Sequence, residues 1–347
     1  MFNRSVKYVL MALLIAVFVA DLALPNAQAQ EMKVIKWRMQ VLWDAGTLPY
    51  KLEQNFAERV KQLTGGRLEI TVYPPGGLVP TMQMFDSLQA GMFEMMKTYE
   101  GYYMGKNAVF AFTSSLPLGF TDTWQFETWF WELGGINILR DVYAKFNMYY
   151  LSPTIYGEEP IHSKFPIRSV EDLKGKKGRF VGLAQPVLSK LGASVSPLPT
   201  AEVYSALEKG VVDFADRGGL AANWDAGLQQ VAKYIILPGF HQPTTATCFV
   251  VNMNAWKALP PDLQAILEAS ARESSMILFA KNLVADYQAL ENFRKAGVEV
   301  IYIKPEEIKK IRKIAMEVWE EYADKSSEAR MAYDSQKSWM KTLGLVD

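Results

Sequence analysis

One stretch limits this chain more than any other: the helical pattern that Pro260-Pro261-Asp262 opens and that runs to Lys295, just before Gly297. At ~1.5 Å per residue a helix of that length spans about 50 Å, more than one small lobe can cover. It predicts two lobes bridged by one helix. Chain length agrees, because the residues beyond position 29 are too many for a single core of ordinary size.

The remaining pattern supplies the lobes. Residues 34–41 (VIKWRMQV) alternate apolar and polar, as a half-buried strand does, and residues 52–63 place Phe56, Val60 and Leu63 on one helical face before Gly65-Gly66 stops them. Residues 68–73 (LEITVY) are β-rich and end in the turn Pro74-Pro75-Gly76-Gly77; residues 81–90 read as a second helix. Beyond Tyr150 a second set begins. It has a capped turn at 169–173, a strand around 178–181, a helix at 186–191, an extended piece at 194–197, a helix at 201–209 and a buried strand at 211–215. The chain then returns toward the first lobe with a strand at 246–251. After the long helix come a strand at 298–303 and a charged helix over 306–323. Strands alternating with helices in this way predict an α/β fold.

The N-terminus predicts export. Arg4 and Lys7 precede an apolar run from Tyr8 to Leu24, and Ala27-Gln28-Ala29 offers a small-residue cleavage site before Gln30. The run is short for a bilayer span and Asp21 interrupts it near its end, which favours a signal peptide over residues 1–29 against a membrane anchor. The periplasm is the expected destination. Without Arg4, Lys7 and Asp21 the chain keeps 35 basic and 36 acidic residues, so no basic surplus points to nucleic acid. Cys248 is the single cysteine, which excludes an internal disulfide; its strand-like surroundings predict a small buried hydrophobe.

Catalytic patterns are missing. His162 and His241 are two isolated histidines, too few for a zinc site, and no H-E-x-x-H, G-x-S-x-G, Walker or dinucleotide glycine pattern occurs. Glu158-Glu159 are adjacent and point different ways. The aromatics Trp124, Phe126, Trp129, Phe130 and Trp131 have helical spacing and predict a packing helix, and Met92, Met95 and Met96 predict core filling. Tyr102-Tyr103, bracketed by Gly101 and Gly105, suit a loop at a strand end, where ligands of open α/β sheets sit. Arg179 stands out: Gly178-Arg179-Phe180-Val181-Gly182 puts a guanidinium in an apolar strand, where an unpaired charge is costly. Its partner is either an internal acid or a ligand carboxylate, which a guanidinium matches in bidentate geometry. Asp216-Arg217 forms a second charged pair at a strand end.

Several stretches together resemble one family. They are SVEDLKGKKGR at 169–179, LGA at 191–193, PTAEVYSALEKGVVD at 199–213, TGGRL at 64–68, YPPGG at 73–77, LQAG at 88–91, YIILPGFHQP at 234–243 and VNMNAWKALP at 251–260. This ordered set, covering nearly the whole mature chain, resembles the solute-binding proteins of tripartite ATP-independent periplasmic (TRAP) transporters. It is most similar to the branch that takes 2-oxo acids and lactate-like hydroxy acids. The resemblance implies a two-lobed periplasmic-binding-protein type II fold with a hinge and a long helix across both lobes. Lobe one would comprise 30–153 and 245–285, and lobe two 154–244 and 286–347.

The resemblance also implies that Arg179 clamps the ligand carboxylate and that Na⁺ or Ca²⁺ can bridge to the ligand. Glu159 stands where the branch commonly has glutamine, and Asp216-Arg217 where it has Glu-Trp. Glu159, Asp216 and the Arg217 backbone carbonyl could still cage a hard cation, since oxygen ligands suit one. Alternatively, Arg217 replaces the metal's charge or adds an anion contact. Trp43, Tyr102, His241 and Phe249 are expected to shape the apolar wall. The ligand is then a 2-oxo or 2-hydroxy acid, or an aromatic or indole-type carboxylate. The partners are membrane permease subunits, with the receptor itself a monomer or homodimer. An exported enzyme using Glu159 and Asp216 as acid and base, and a sensor subunit, are the alternatives.

Overall fold

The computed structural model describes residues 34–346, so the expected signal peptide at 1–29 lies outside the described residues. In chain order the strands are β1 (Ile35–Val41), β2 (Leu68–Tyr73), β3 (Met95–Thr98), β4 (Met148–Tyr156), β5 (Ile161–Ser163) and β6 (Lys177–Arg179). They continue with β7 (Ser194–Ser196), β8 (Phe214–Ala215), β9 (Tyr234–Leu237), β10 (Thr245–Asn252) and β11 (Glu299–Tyr302). Two mixed sheets result, ordered β2-β1-β3-β10-β4 and β11-β9-β5-β8-β6-β7, each flanked by helices. These are the two lobes of the type II binding-protein architecture.

Strand direction decides where the lobes meet. In the first sheet β1 and β3 are parallel, while β10 runs antiparallel to both β3 and β4, with Thr245 opposite Tyr156. The C-terminal ends of β1, β3 and β4 therefore share an edge with the start of β10. In the second sheet β6 and β8 are parallel, and β5 runs antiparallel to β8 and β9, with Ile161 opposite Ile236. The ends of β6, β8 and β9 share an edge with the start of β5. Both chain crossings, residues 157–160 and 238–244, join these two edges.

The crossings are fastened to each other. Glu159 N donates to Gln242 O at 2.9 Å, and Gly239 N donates to the Glu158 carboxylate at 2.8 Å. A Cβ on Gly239 would stand 2.0 Å from Glu159 O, so only glycine permits this approach.

The helix Pro261–Lys295 forms over its full expected length. Its first part packs on β4 and the helix Leu48–Leu63, and its last part on the helix Leu220–Asp225 and β11. Ser275 Oγ accepts from Ile155 N at 3.0 Å in the first lobe, and Asp286 accepts from Ala221 N at 2.7 Å in the second. Leu290 and Phe293 complete an apolar cluster with Leu220, Ile235 and Leu237.

Several details differ from the expected pattern. The helix Ser327–Thr342 was not anticipated; it buries Ala329, Ala332, Tyr333, Gln336 and Met340. It packs against both the helix Pro305–Ala323, where Tyr333 Oη donates to Glu320 at 2.7 Å, and the first lobe, with Gln336 Nε2 donating to Phe112 O at 2.8 Å and Trp339 Nε1 to Gln125 O at 2.9 Å. The span 286–347 is therefore not all second-lobe structure: its part against that lobe is β11 and the helix Pro305–Ala323, which packs on the helix Ala184–Lys190. In the aromatic helix Thr123–Glu132, Phe126, Trp129 and Phe130 are buried and Trp124 is exposed. Met95 and Met96 are core residues, whereas Met92 faces solvent. Cys248 is buried in β10.

Candidate ligand-binding site

Arg179 is the last residue of β6, held between β7 and β8 by parallel pairing. Gly178 lets the strand lie on Phe214, whose ring would stand 2.7 Å from any Cβ there. The guanidinium is 1% exposed. Its Nε donates to Leu198 O at 2.8 Å, Nη1 to Asp216 Oδ1 at 2.6 Å and to Asp216 O at 3.1 Å, and Nη2 to Leu198 O and to Tyr102 Oη, the latter at 3.2 Å. Every donor direction of the fork is thereby used, which compensates the buried charge. The internal acid weighed as a partner is thus present, in Asp216.

Two carboxyls and a histidine gather behind this arginine. Glu159 sits on the first crossing, Asp216 follows β8, and His241 lies on the second crossing; all are buried. Tyr156 Oη donates to Glu159 Oε1 at 2.5 Å, and Gln242 Nε2 to Asp216 Oδ2 at 3.1 Å. Tyr99 Oη donates to Gln242 Oε1. Burial holds the Glu159 carboxyl above the usual carboxylate range, and the neighbouring Asp216 charge raises it further. Asp216 is also raised by burial, against the opposing pull of Arg179. Burial, with Arg179 adding to it, pushes His241 down to about 3, so its ring is neutral. His241 Nε2 lies 3.5 Å from Asp216 Oδ2, too far for a hydrogen bond of ordinary strength, and neither ring nitrogen has a hydrogen-bond partner among the described residues.

In front of Arg179 is a cavity of ≈ 10 Å³, about one water's worth of space, lined by Trp43, Tyr102, Glu159, Arg179 and Arg217 from the expected set, whereas Asp216 and His241 are not among its lining residues. Tyr99, Tyr156, Thr200 and Gln242 also line it, without having been singled out. Tyr99 could have been suspected from its place one step before Glu100-Gly101; Tyr156 and Gln242 carried no signal of their own. Arg217 turns to Asp44, with which it forms an ion pair, and donates to Ala222 O at 3.1 Å. Phe249 is a correction. It stacks on Phe56 at 4.5 Å, with Lys97 Nζ 3.7 Å from its ring centre, in the first lobe's core. Its place in the middle of β10, opposite Lys97 and Ser152, keeps it from the strand edge that lines the cleft.

The donor set fits a cation. Ligating atoms of Glu159, Asp216 and His241 lie within 4.8 Å of one another, and the imidazole is neutral and otherwise unbonded. His241 thus adds a nitrogen donor to a set expected to be all oxygen. A wider groove of ≈ 380 Å³ between the helix Thr123–Glu132 and the long helix is lined largely by apolar side chains such as Trp124, Trp131, Met276 and Phe279. Glu159, Arg179 and Arg217 converge on the narrow cavity, with Asp216 in contact behind Arg179, which marks it as the chemical site.

Bacterial extracellular solute-binding protein, family 7, is matched over residues 40–326. The chain belongs to this family. Within it, a monocarboxylate 2-oxoacid-binding periplasmic protein of Nostoc sp. is 31% identical over 310 residues, 89% of this chain and 85% of the relative. Two solved TRAP solute-binding proteins share the fold. A TRAP transporter solute-binding protein from Bordetella bronchiseptica, a mixed-occupancy dimer with copurified calcium and picolinate, superposes with a TM-score of 0.84 at 30% identity, covering 90% of this chain and 93% of its own. A TRAP protein from Pseudoalteromonas atlantica with bound sodium and pyruvate gives 0.83 at 26% identity, covering 90% and 95%.

Proposed function

We propose that the chain is the periplasmic receptor of a TRAP transporter, capturing a small 2-oxo or 2-hydroxy monocarboxylate and presenting it to membrane permease subunits. The observation that carries this reading is Arg179, a buried guanidinium whose Nη2 faces Tyr102 across the cleft at 3.2 Å. A ligand carboxylate would displace the Tyr102 hydroxyl from Nη2, while Asp216 keeps Nη1 and holds the guanidinium in plane.

Glu159, Asp216 and His241 would hold the bridging cation, with the Arg217 carbonyl as a further oxygen. Such an ion supplies positive charge to a ligand carboxylate or keto oxygen. The chain's part is to orient these donors and exclude water. Binding is expected without turnover. The lobes of this receptor would divide at the crossings 157–160 and 238–244, a reading supported by the two sheets on either side of them. As a free receptor the chain would be a monomer or a homodimer.

Calorimetric titration with pyruvate, lactate, picolinate and indole-3-acetate tests the reading, with and without a chelator. Pyruvate or lactate should bind and be recovered unchanged. Arg179→Lys should weaken binding by about 10- to 100-fold, since it keeps the charge and loses the fork. Full affinity in that variant would rule out the clamp, and affinity unaffected by chelator would rule out the cation.

A further inference from the structure

We propose that Asp44 and Arg217 form a latch that closes the two lobes directly, so that this ion pair sets how long the cleft stays shut. The proposal rests on the receptor reading above and deepens it.

Asp44 follows β1 in the first lobe and Arg217 follows β8 in the second, yet their charged ends meet across the mouth of the cleft. The guanidinium is 2% exposed and tied to its own lobe by Ala222 O, whereas the Asp44 side chain is 32% exposed. Asp44 is braced in turn: its carbonyl accepts from Thr47 Oγ1 at 2.8 Å and from Thr47 N at 3.2 Å, and Thr47 caps the helix Leu48–Leu63.

A reciprocal contact runs the other way. Asp225, ending the second-lobe helix Leu220–Asp225, accepts from Leu48 N at 3.1 Å, at the first turn of that first-lobe helix. Thr200 Oγ1 adds a third bond to Leu42 O at 3.0 Å. Two carboxylates thus cross the mouth in opposite directions, one to a guanidinium and one to a helix N-terminus, where negative charge is favoured. None of these contacts can form when the lobes part. They bias the equilibrium toward closure by their own free energy, whatever the ligand. Bonds to Asp44 and to Ala222 O hold the Arg217 guanidinium between the lobes.

The test uses spin labels on Glu58→Cys and Lys209→Cys, both exposed and in different lobes, with the native Cys248 buried and unlabelled. Pulsed dipolar spectroscopy of the ligand-free protein should show a closed, short-distance population. Asp44→Asn should lower the closed-to-open ratio about tenfold, and raising NaCl from about 0.02 to about 0.5 M should lower it in the unmodified pair. Arg217→Asp should act like Asp44→Asn, and Asp44→Arg combined with Arg217→Asp should recover most of the loss. With pyruvate and calcium as the probe, Asp44→Asn should raise the dissociation rate about tenfold and leave the association rate and the preference over lactate unchanged. A ligand-free protein with no closed population, an unchanged ratio in Asp44→Asn, or no recovery in the double reversal would each overturn the latch. Failure of pyruvate to bind, with the distance changes intact, would instead count against the ligand assignment and leave the latch standing.

Discussion

Glu100, just beyond β3, is 1% exposed and its Oε1 has no hydrogen-bond partner. Burial pushes its carboxyl up to about 7, with Thr113 and Tyr143 only partly opposing the shift. In the unfolded chain a glutamate titrates near ~4.3, so between that value and about 7 the folded protein binds the extra proton. Stability from this group is fully present below the unfolded value and is lost as pH rises through the folded one. Glu100→Gln keeps the shape and removes the titration. Urea unfolding at pH 5 and pH 8 should show the native chain losing on the order of 2–3 kcal/mol relative to the variant over that interval; parallel pH profiles would exclude the effect. Nothing in the sequence announced Glu100, because an acid beside two tyrosines and a glycine reads as an ordinary loop. Arg179 was legible for the opposite reason: a charge inside an apolar strand must be answered. Whether a ligand or Asp216 answers it was not legible, since that depends on the approach of β6 and β8.

The crossings show what element-scale reading can and cannot reach. The long helix declared itself by length alone, and β2 by its β-branched and aromatic run. By contrast, β4 escaped notice because eight of its nine residues are buried, so it lacks the alternation of a half-exposed strand. Losing β4 also hid Tyr156 and the start of the first crossing. The site stands on two loops whose mutual position is set by tertiary contacts such as Gly239 against Glu159. Gly239→Ala would drive a methyl into Glu159 O, from 2.0 Å, and must push the crossings apart. Calorimetric unfolding should show destabilisation of about 2 kcal/mol or more. Affinity for pyruvate should fall as well, because Glu159 and His241 ride on the displaced segments. A variant with native stability and affinity would mean the crossings tolerate a wider spacing than their bonding indicates.

For the whole molecule, the two-lobed plan was readable from chain length and the bridging helix, whereas the seat of the terminal helix was not. The stripe from Ala329 to Met340 fixes that it packs but not on which lobe, a choice made by groups such as Phe112 O and Gln125 O that the folded first lobe presents. The consequence is a chain that visits lobe one, lobe two, lobe one, lobe two and finally lobe one again. Closure must therefore bend the two crossings and the long helix at once, so these act as one hinge, while Glu320 fastens the helix Pro305–Ala323 to Tyr333 and Lys337 of the terminal helix. A ligand that touches Arg179 from the second lobe and Tyr102 from the first is bound fully only when they meet, and mass action then stabilises the closed form. At a hundred times its dissociation constant such a ligand should add about 2.7 kcal/mol. Scanning calorimetry should find the melting point raised by on the order of 5 °C, and solution scattering should find a smaller radius of gyration in the same samples. The two changes should follow one saturation curve and, if a cation bridges the ligand, vanish together on chelation. With the latch released by Asp44→Asn, a melting shift without contraction would mean that the acid binds to one lobe alone, and the two-lobed clamp would have to be given up.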